Sequence, residues 1–265
     1  IEWQRADTSM KYLEDPATTL LPEGIPYGIA VGNHEQTPKS DPHGTTTFYN
    51  QYFGSNRYSS KSYYGGHYGL NSDNSYQFFS ASGLSFIVIY LAYDPAPEPA
   101  VLNWADSLLK VYNSRRGIVV SHYLLDGNSF STQGRIFYDS LKDNPNLFLM
   151  LCGHLAEGRR QDTFNGKTVY TLMSDFQGRS HGGDGWLRLM EFSPLSDSIR
   201  VKTYSPTLGQ YENDSDSKFS LYYNMKDTNF QVIGVNTNVP SGSNSIIKWP
   251  VLSPMTNYEW YVTVS

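Results

Sequence analysis

The chain has 265 residues, of which 39% are apolar and 17% charged, and its formal net charge at pH 7 is -5. This length is sufficient for a full hydrophobic core, and the 15% of aromatic residues, with 21 tyrosines, supply burial area in place of aliphatic residues. The negative charge and the lack of a Lys/Arg-rich run argue against the backbone of a nucleic acid as the main partner.

The first part of the chain alternates between strand-like and helical patterns, which predicts an α/β fold with a sheet covered by helices. A helix is predicted at the N-terminus, and the pattern then predicts, in chain order, a strand at 25–31, a short helix at 46–53, two strands within 76–93, a helix within 97–115, a strand at 117–121, a helix at 132–143 and a strand at 146–153.

The apolar run at 84–93 is a predicted buried strand, because a membrane helix needs about 20 such residues. We therefore expect no membrane partner. The single cysteine, Cys152, excludes an internal disulfide and is interpreted as a buried side chain of its strand. Because the chain starts without Met and ends in the strand-like "YEWYVTVS", we interpret it as a fragment.

After residue 160 the helical patterns stop and four strand-like runs follow, separated by turn residues. This alternation predicts an antiparallel meander with strands at 167–175, 185–193, 198–206 and 218–225. The predicted architecture is therefore α/β in its first part and all-β in its second.

Polar side chains follow three of the predicted strands, in "VGNHE", "VVSHYLL" and "LMLCGHLAEGRR". Ligands of open α/β sheets gather at the carboxyl ends of the strands. Asn33, His34, His122 and His154 are therefore expected to converge in one crevice, although they are far apart in the sequence.

In this order the motifs resemble the calcineurin-like metallophosphoesterases, which carry Asp-x-His, Gly-Asp, Gly-Asn-His-Asp/Glu, a lone His and Gly-His-x-His at strand ends around two metal ions. The runs "GIPYGIAVGNHE", "FIVIYLAYD" and "GGDGWLRLMEFSP" are also similar to bacterial secreted, multidomain members. The resemblance implies a metallophosphoesterase-like β-sandwich flanked by helices over residues 1–226, a secreted or cell-surface location, and hydrolysis of phosphate mono- or diesters, in a small-molecule or polymer substrate, with divalent Mn, Zn or Fe.

The resemblance also implies a role for each motif residue. Asn33, His122 and His154 would be metal ligands, and His34 would act as general acid or as a cationic contact to the phosphate. Glu35 would orient His34 or hold the turn. Two divalent ions about 3.5–4 Å apart can hold a phosphate ester and lower the pKa of a bridging water.

Further residues near the strand ends are candidates for substrate binding. Arg159 and Arg160 could grip an anionic substrate, or equally form salt bridges with Glu157 or Asp162. The remaining candidates for the crevice and its rim are Asp175, Gln177 and His67.

The sequence also departs from the family pattern. The Asp-x-His and Gly-Asp motifs lie outside the chain, and Ala156 occupies the position of the second histidine of Gly-His-x-His. We therefore expect impaired activity and possible loss of the metal ions. Without the strands of those motifs, "IPYGIAV" (25–31) and "LMLCGH" (149–154) would have exposed hydrogen-bonding edges. Either the sheet rearranges, or another molecule, such as a second copy in an oligomer, covers these edges.

Residues 227–265 resemble the later strands of a fibronectin type III or immunoglobulin-like module, through the pattern L-x-P-x-T-x-Y in "LSPMTNYEW". Three strands do not close a sandwich, so this segment is expected to be an incomplete module.

Two other function classes stay open. A hydrolase of glycosides or carboxylic esters needs a pair of crevice carboxylates, and the candidates are Glu35, Asp94, Asp126, Glu157 and Asp175. A non-catalytic protein could bind a ligand or partner through the tyrosine-rich stretch 56–76. Chelation with EDTA would abolish phosphoesterase activity and leave a carboxylate-only hydrolase unaffected.

Overall fold

The computed structural model describes residues 1–225, 233–249 and 262. The helices are α1 (Glu2–Glu14), α2 (Pro16–Thr19), α3 (Thr47–Phe53), α4 (Ser55–Tyr58), α5 (Pro99–Val111), α6 (Thr132–Leu141) and α7 (Ser180–Gly183). The strands are β1 (Tyr64–His67), β2 (Ser75–Ala81), β3 (Leu84–Leu91), β4 (Arg116–Ser121), β5 (Leu125–Asp126), β6 (Ser129–Phe130), β7 (Leu147–Cys152), β8 (Glu157–Phe164), β9 (Lys167–Ser174), β10 (Leu187–Ser193), β11 (Ser198–Ser205), β12 (Gln210–Tyr211) and β13 (Lys218–Tyr222).

Two larger sheets organise the described residues. The first has seven strands in the order β1-β2-β3-β4-β7-β9-β8. Its centre, from β3 through β4 and β7 to β9, is parallel, whereas β1, β2 and β8 pair antiparallel with their neighbours. The second sheet is antiparallel, with β11 paired to β10, β12 and β13. The chain is therefore mixed α/β, which confirms the coarse fold class predicted from the sequence.

The seven-stranded sheet is covered on both faces because the side chains of its central strands are apolar on both sides. On one face, Ile87 and Ile89 of β3 pack in a core with Leu109 of α5 and with α6. On the other face, Phe86 of β3 packs in a second core with Ile199 of β11. Helices, large sheet and small sheet thus form successive layers, and the carboxyl ends of β3, β4 and β7 lie at the same edge.

Most of the predicted helices and central strands are confirmed with shifts of a few residues, but the strand predicted at 25–31 is wrong. This segment joins no ladder and has one backbone hydrogen bond to the strand end, from the Tyr93 N–H to the Val31 carbonyl at 2.9 Å. The physical reason is that β3 already has β2 and β4 as neighbours. The segment is instead held by side chains, such as the Tyr49 hydroxyl, which donates to the Ile29 carbonyl at 2.8 Å.

The two exposed edges considered at 25–31 and 149–154 do not occur, so the structure agrees with the alternative of a rearranged sheet. The first segment lies outside the sheet, and β7 lies between β4 and β9. Cys152, at the end of β7, packs against the core on the helix side, and burial raises the pKa of its thiol to about 11. This environment agrees with its interpretation as a structural side chain.

The predicted meander is only partly correct. Its first strand is β9, which belongs to the large sheet and pairs in parallel with β7. The sequence also failed to indicate β8, a polar strand whose ladder with β9 extends over its full length. The stretch 56–76 is more structured than expected, because it contains β1 and the buried Tyr58 and Tyr63.

The segment predicted as part of an immunoglobulin-like module falls largely outside the described residues. Its described part, residues 233–249 and 262, contains neither helix nor strand. Among the helices of the described residues, none combines the length and the apolar character needed to cross a lipid bilayer.

Ser131 is expected to stabilise the start of α6 and to tie it to the end of β4. Its Oγ accepts the Gly134 N–H at 3.0 Å, and its hydroxyl donates to the Tyr123 carbonyl at 2.9 Å. Ser131→Ala should therefore lower the free energy of unfolding in urea by about 1 kcal/mol. Ser129→Ala, at an exposed position of β6, is the matched control. Equal losses in the two variants would contradict the capping role.

Candidate functional site

Three of the side chains that the sequence predicts to converge are in direct contact. His122 Nε2 lies 2.8 Å from Asn33 Oδ1 and 2.8 Å from His154 Nδ1. His122 directly follows β4, His154 follows β7, and Asn33 follows the extended segment 25–31, whose end is hydrogen-bonded to Tyr93. We call these three residues the three-donor cluster.

The backbone and a neighbouring serine fix the orientation of the cluster. Asn33 is 6% exposed, and its Nδ2 donates to Ser40 Oγ at 3.2 Å, which turns Oδ1 towards His122. His154 has a φ of 74°, in the left-handed region that is unfavourable for a residue with a Cβ. Such strained backbone is concentrated at functional sites.

Gly32 and Glu35 shape the turn that carries Asn33. The Glu35 carboxylate accepts the Gly32 N–H at 2.8 Å. A Cβ at position 32 would lie 2.8 Å from Glu35 Oε2 and 2.9 Å from His122 Nδ1, so only glycine permits this close approach. Of the two roles considered for Glu35, the geometry favours holding the turn.

Hydrogen bonding alone does not satisfy the three-donor cluster. If His122 Nε2 carries the proton, it has two acceptors, Asn33 Oδ1 and His154 Nδ1, for one hydrogen. If His154 Nδ1 carries the proton instead, the lone pair of His122 Nε2 faces the oxygen of Asn33. In the first tautomer two acceptors share one hydrogen, and in the second a short contact joins two electron-rich atoms, whereas a cation beside the three atoms would interact favourably with each of them.

Burial keeps the His122 imidazole neutral. It lowers the pKa of His122 to about 4, and the neighbouring His154 and His34 act in the same direction, whereas the Asp175 carboxylate opposes them. A neutral imidazole has a free lone pair, which is the form that binds metal ions.

We expect the metal-free protein to lose stability as the pH falls from about 6.5 to about 4, since the unfolded chain takes up the His122 proton first. Above about pH 6.5 His122 is neutral in both the folded and the unfolded chain, so it does not lower the stability there. Allowing for partial solvent screening, the loss should be about 1–2 kcal/mol.

This pH effect is measured by urea unfolding in EDTA at about pH 7.5 and about pH 4.5, for the parent protein and for His122→Gln. Carboxylates titrate in both proteins, so the difference between the two pH-dependent losses isolates His122. An identical loss in the parent and the variant would contradict the prediction.

Two further candidates, His34 and Asp175, lie close enough to the cluster to change the pKa of His122, and Gln177 contacts Asp175. His34 is exposed, and its effect on the pKa of His122 indicates its proximity. Asp175 also acts on His122, but both of its carboxylate oxygens accept hydrogen bonds from Gln177, at 2.9 and 3.0 Å. Aromatic rings form the remaining wall, with Tyr93 5.9 Å from the His122 ring and Tyr123 4.7 Å from the His154 ring.

Arg159 and Arg160, the two predicted contacts for an anionic substrate, point to opposite faces of β8 and not to one shared position. Arg160 forms a bidentate pair with Asp162 and lies 3.9 Å over the Phe130 ring. Arg159 points to the opposite face of β8, where it lies 4.3 Å over the Phe219 ring. The salt bridge with Asp162, the alternative considered from the sequence, is thus the one observed for Arg160.

His67 lies at the same edge of the sheet but three strands away from β4, about 14 Å at ordinary strand spacing. Its Nδ1 is 2.7 Å from the Tyr64 hydroxyl. A role for His67 in direct contact with a ligand of the three-donor cluster is therefore not supported by this arrangement.

Four of the five carboxylates considered for a glycoside or ester hydrolase accept a hydrogen bond or an ion pair from another residue. Glu157 pairs with Arg179 at 2.6 Å and with Arg188 at 2.5 Å. Asp94 Oδ1 accepts the N–H of Ala96 at 2.9 Å. Within residues 1–225, 233–249 and 262, no three His, Cys, Asp or Glu side chains converge on one point, so the cluster depends on Asn33 as its third donor.

Sequence reasoning did not identify Tyr93 or Ser40 as parts of the site. The apolar pattern 76–93 predicts that Tyr93 is the last residue of a strand, without indicating that its ring contacts the cluster. Ser40 lies in the loop after Asn33, and only the structure shows that its hydroxyl contacts the Asn33 side chain. The only available signal was the position of Tyr93 at the end of the strand that precedes "DPAPEP", which places it beside the other strand ends.

Comparison with known proteins gives a relative of unspecified function. No family model matches the chain. It is 32% identical, over an alignment of 293 positions that includes gaps and covers 99% of its length, to "Uncharacterized protein YvnB" of Bacillus subtilis (strain 168). The alignment covers 22% of that relative, so the chain spans about a fifth of the longer protein.

Proposed function

We propose that the chain carries a metal-dependent phosphoester hydrolase site of the calcineurin-like type, in which Asn33, His122 and His154 hold one divalent ion. The observation that carries this proposal is the contact of three electron-rich atoms from three different strand ends or turns: Asn33 Oδ1 and His154 Nδ1 each lie 2.8 Å from His122 Nε2. The order of these residues in the chain is that of the family's later motifs.

The donor set fits a single divalent ion. Two ligands at about 2.1 Å from a metal lie about 3.0–3.4 Å apart, which requires only a small opening of the observed 2.8 Å contacts. Two imidazoles and an amide oxygen suit Zn, Fe or Mn. A second ion would need a bridging carboxylate, and none of the described residues supplies one at the cluster.

A bound ion would polarise the phosphoryl oxygen and lower the pKa of a coordinated water. The residues of the chain would do the rest. His34, exposed beside His122, is suitably placed to donate a proton to the leaving oxygen or to contact the phosphate. Glu35 holds the turn through the Gly32 N–H, and Tyr93 and Tyr123 limit the access of water to the imidazoles.

The layers of the fold support the same proposal. A helix-covered sheet packed against a second sheet agrees with the metallophosphoesterase-like β-sandwich expected from the sequence. Four statements stay predictions: the secreted location, the mono- or diester substrate, the assignment of 1–226 and 227–265 to two domains, and the oligomeric partner. The prediction of an oligomer depended on exposed sheet edges at 25–31 and at the end of β7, and the structure does not have them.

The proposal is tested by metal content and activity measured on the same sample. The protein is incubated with Mn²⁺ or Zn²⁺ and desalted, and its metal is counted by plasma mass spectrometry. About one ion per chain is expected, together with hydrolysis of bis-p-nitrophenyl phosphate that EDTA abolishes.

Replacement of His34 by alanine should leave the metal content unchanged and remove the EDTA-sensitive rate, because His34 is not a member of the three-donor cluster. No retained metal would overturn the site. Retained metal without phosphoester hydrolysis would overturn the activity and leave the metal site in place.

A further inference from the structure

The backbone of Asp175 is fixed next to the three-donor cluster. Asp175 directly follows β9, which pairs in parallel with β7, so the residues after these two strands lie side by side at one edge of the sheet. The Asp175 N–H donates to the Ala156 carbonyl at 2.7 Å. Because Ala156 stands two residues after His154, this hydrogen bond ties Asp175 to the turn that carries one of the three donors.

The carboxylate of Asp175 lies close to two members of the cluster. A Cβ at Gly153, the residue before His154, would lie 3.8 Å from Asp175 Oδ2. The same carboxylate acts on His122, where it opposes the lowering of the pKa by burial. Asp175 is therefore a negatively charged neighbour of both imidazoles.

Gln177 holds this carboxylate in place. The Gln177 N–H donates to Asp175 Oδ1 at 2.9 Å, and the Gln177 side-chain amide donates to Oδ2 at 3.0 Å. Within the part of the chain that the structure describes, no three His, Cys, Asp or Glu side chains converge on one point, so Asp175 does not form a ligand set with the two imidazoles. The carboxylate is thus a fixed charge beside the cluster and not one of its members.

The donor set itself lacks the charge that a divalent ion requires. An amide oxygen and two neutral imidazoles leave the positive charge of the ion without compensation, and the charge of the ligands is one factor that sets metal affinity. Glu157, at the same edge of the sheet, is already paired with Arg179 and Arg188. Asp175, in contrast, receives its two hydrogen bonds from the neutral groups of Gln177 and keeps its full negative charge.

We propose that Asp175 compensates the charge of the metal ion from outside the ligand set, with Gln177 as the residue that positions its carboxylate. This inference rests on the metal site proposed above. Opposite charges in a partly buried site attract strongly, so Asp175 would raise the affinity of the neutral donors for the ion. The same charge would repel a phosphate anion, and this role therefore replaces the substrate contact expected of Asp175 from the sequence.

The proposal is tested by the affinity for Zn²⁺, measured by competition with a chelating dye. Asp175→Asn keeps the shape of the side chain and removes its charge, so it should weaken Zn²⁺ binding about tenfold. Asp175→Glu restores the charge and should bind Zn²⁺ within about threefold of the parent. Added salt should weaken binding more steeply in the parent than in Asp175→Asn, because salt screens the charge that this variant lacks.

Asp143→Asn is the matched control, since Asp143 is exposed between α6 and β7, at the opposite edge of the sheet. It should change the Zn²⁺ affinity by less than about twofold. Circular dichroism establishes that each variant is folded. Equal affinities of the parent and Asp175→Asn would overturn the proposal. Equal weakening in Asp175→Asn and Asp175→Glu would also overturn it, because shape and not charge would then matter.

Co²⁺ in place of Zn²⁺ reports whether Asp175 is itself a ligand. The visible absorption bands of bound Co²⁺ depend on the ligand set, so they should be the same in the parent and in Asp175→Asn. Different bands would identify Asp175 as a ligand and overturn its role outside the ligand set. A parent that binds no metal would overturn the proposed site together with this role, whereas bound metal without hydrolysis would overturn only the proposed activity.

Discussion

Replacement of His122 by alanine is expected to weaken the binding of Zn²⁺ or Mn²⁺ about 100-fold or more. Its Nε2 is the atom that contacts both other donors, so the variant leaves one amide and one imidazole that no longer share a neighbour. Loss of residues that only support a ligand already costs about 10–100-fold in metal affinity, and His122 would be a ligand itself. The affinity is measured by competition with a chelating dye.

The matched control is His181→Ala, which removes an exposed histidine that pairs with Asp184 at 2.9 Å and is not a member of the three-donor cluster. It should leave the metal affinity unchanged. Asn33→Asp should raise the affinity, because it keeps the shape of the side chain and adds a negative charge next to the ion. Circular dichroism of each variant establishes that it is folded. Equal affinities of the parent and His122→Ala would eliminate the three-donor cluster as the metal site.

The convergence of Asn33, His122 and His154 could be predicted because it depends only on where each residue stands relative to the end of an apolar run. His122 and His154 directly follow apolar strands, and the carboxyl ends of parallel strands meet at one edge of a sheet. The side chain of Asn33 was expected there for the same reason, although its segment forms no strand. Its position depends on a turn that Gly32 and Glu35 close, and not on sheet pairing.

Non-local pairing explains the predictions that were wrong. The apolar pattern of residues 25–31 is compatible with a strand, but whether a strand forms depends on a free neighbouring edge, which β3 does not offer. Conversely, the polar residues of β8 indicate no strand, yet β9 supplies a complete ladder. The opposite directions of Arg159 and Arg160 follow from the alternation along β8, so this failure was a direct consequence of the missed strand.

The extended segment that carries Asn33 must be anchored by side chains, and Arg57 provides the largest such anchor. The side chain of Arg57 is 12% exposed. Its Nη1 donates to Asp7 Oδ1 at 2.6 Å, and its Nε donates to Glu14 Oε1 at 2.7 Å and to the Tyr27 hydroxyl at 2.5 Å. Arg57 thus joins α1, α4 and the start of the extended segment in one network.

Arg57→Ala is expected to lower the free energy of unfolding by about 2–3 kcal/mol, because it leaves the partly buried Glu14 carboxylate without a cation and Asp7 with only the exposed Lys11. Urea unfolding measures the loss. Lys11→Ala is the matched control, since Lys11 pairs with the same Asp7 at 2.8 Å but is 63% exposed. It should cost less than about 1 kcal/mol.

Arg57→Ala removes the contact to Tyr27 and should therefore also let the extended segment and Asn33 shift. The variant is expected to bind the metal severalfold more weakly at a temperature where it is still folded. Lys11→Ala should leave it unchanged. Equal unfolding free energies for the two variants would show that the exposed and the buried partner of Asp7 are equivalent. In that case the position of Asn33 would have to be fixed by the turn at Gly32, by Ser40 and by the hydrogen bonds that Tyr49 and Tyr93 donate to the segment, because no ladder holds it in the sheet.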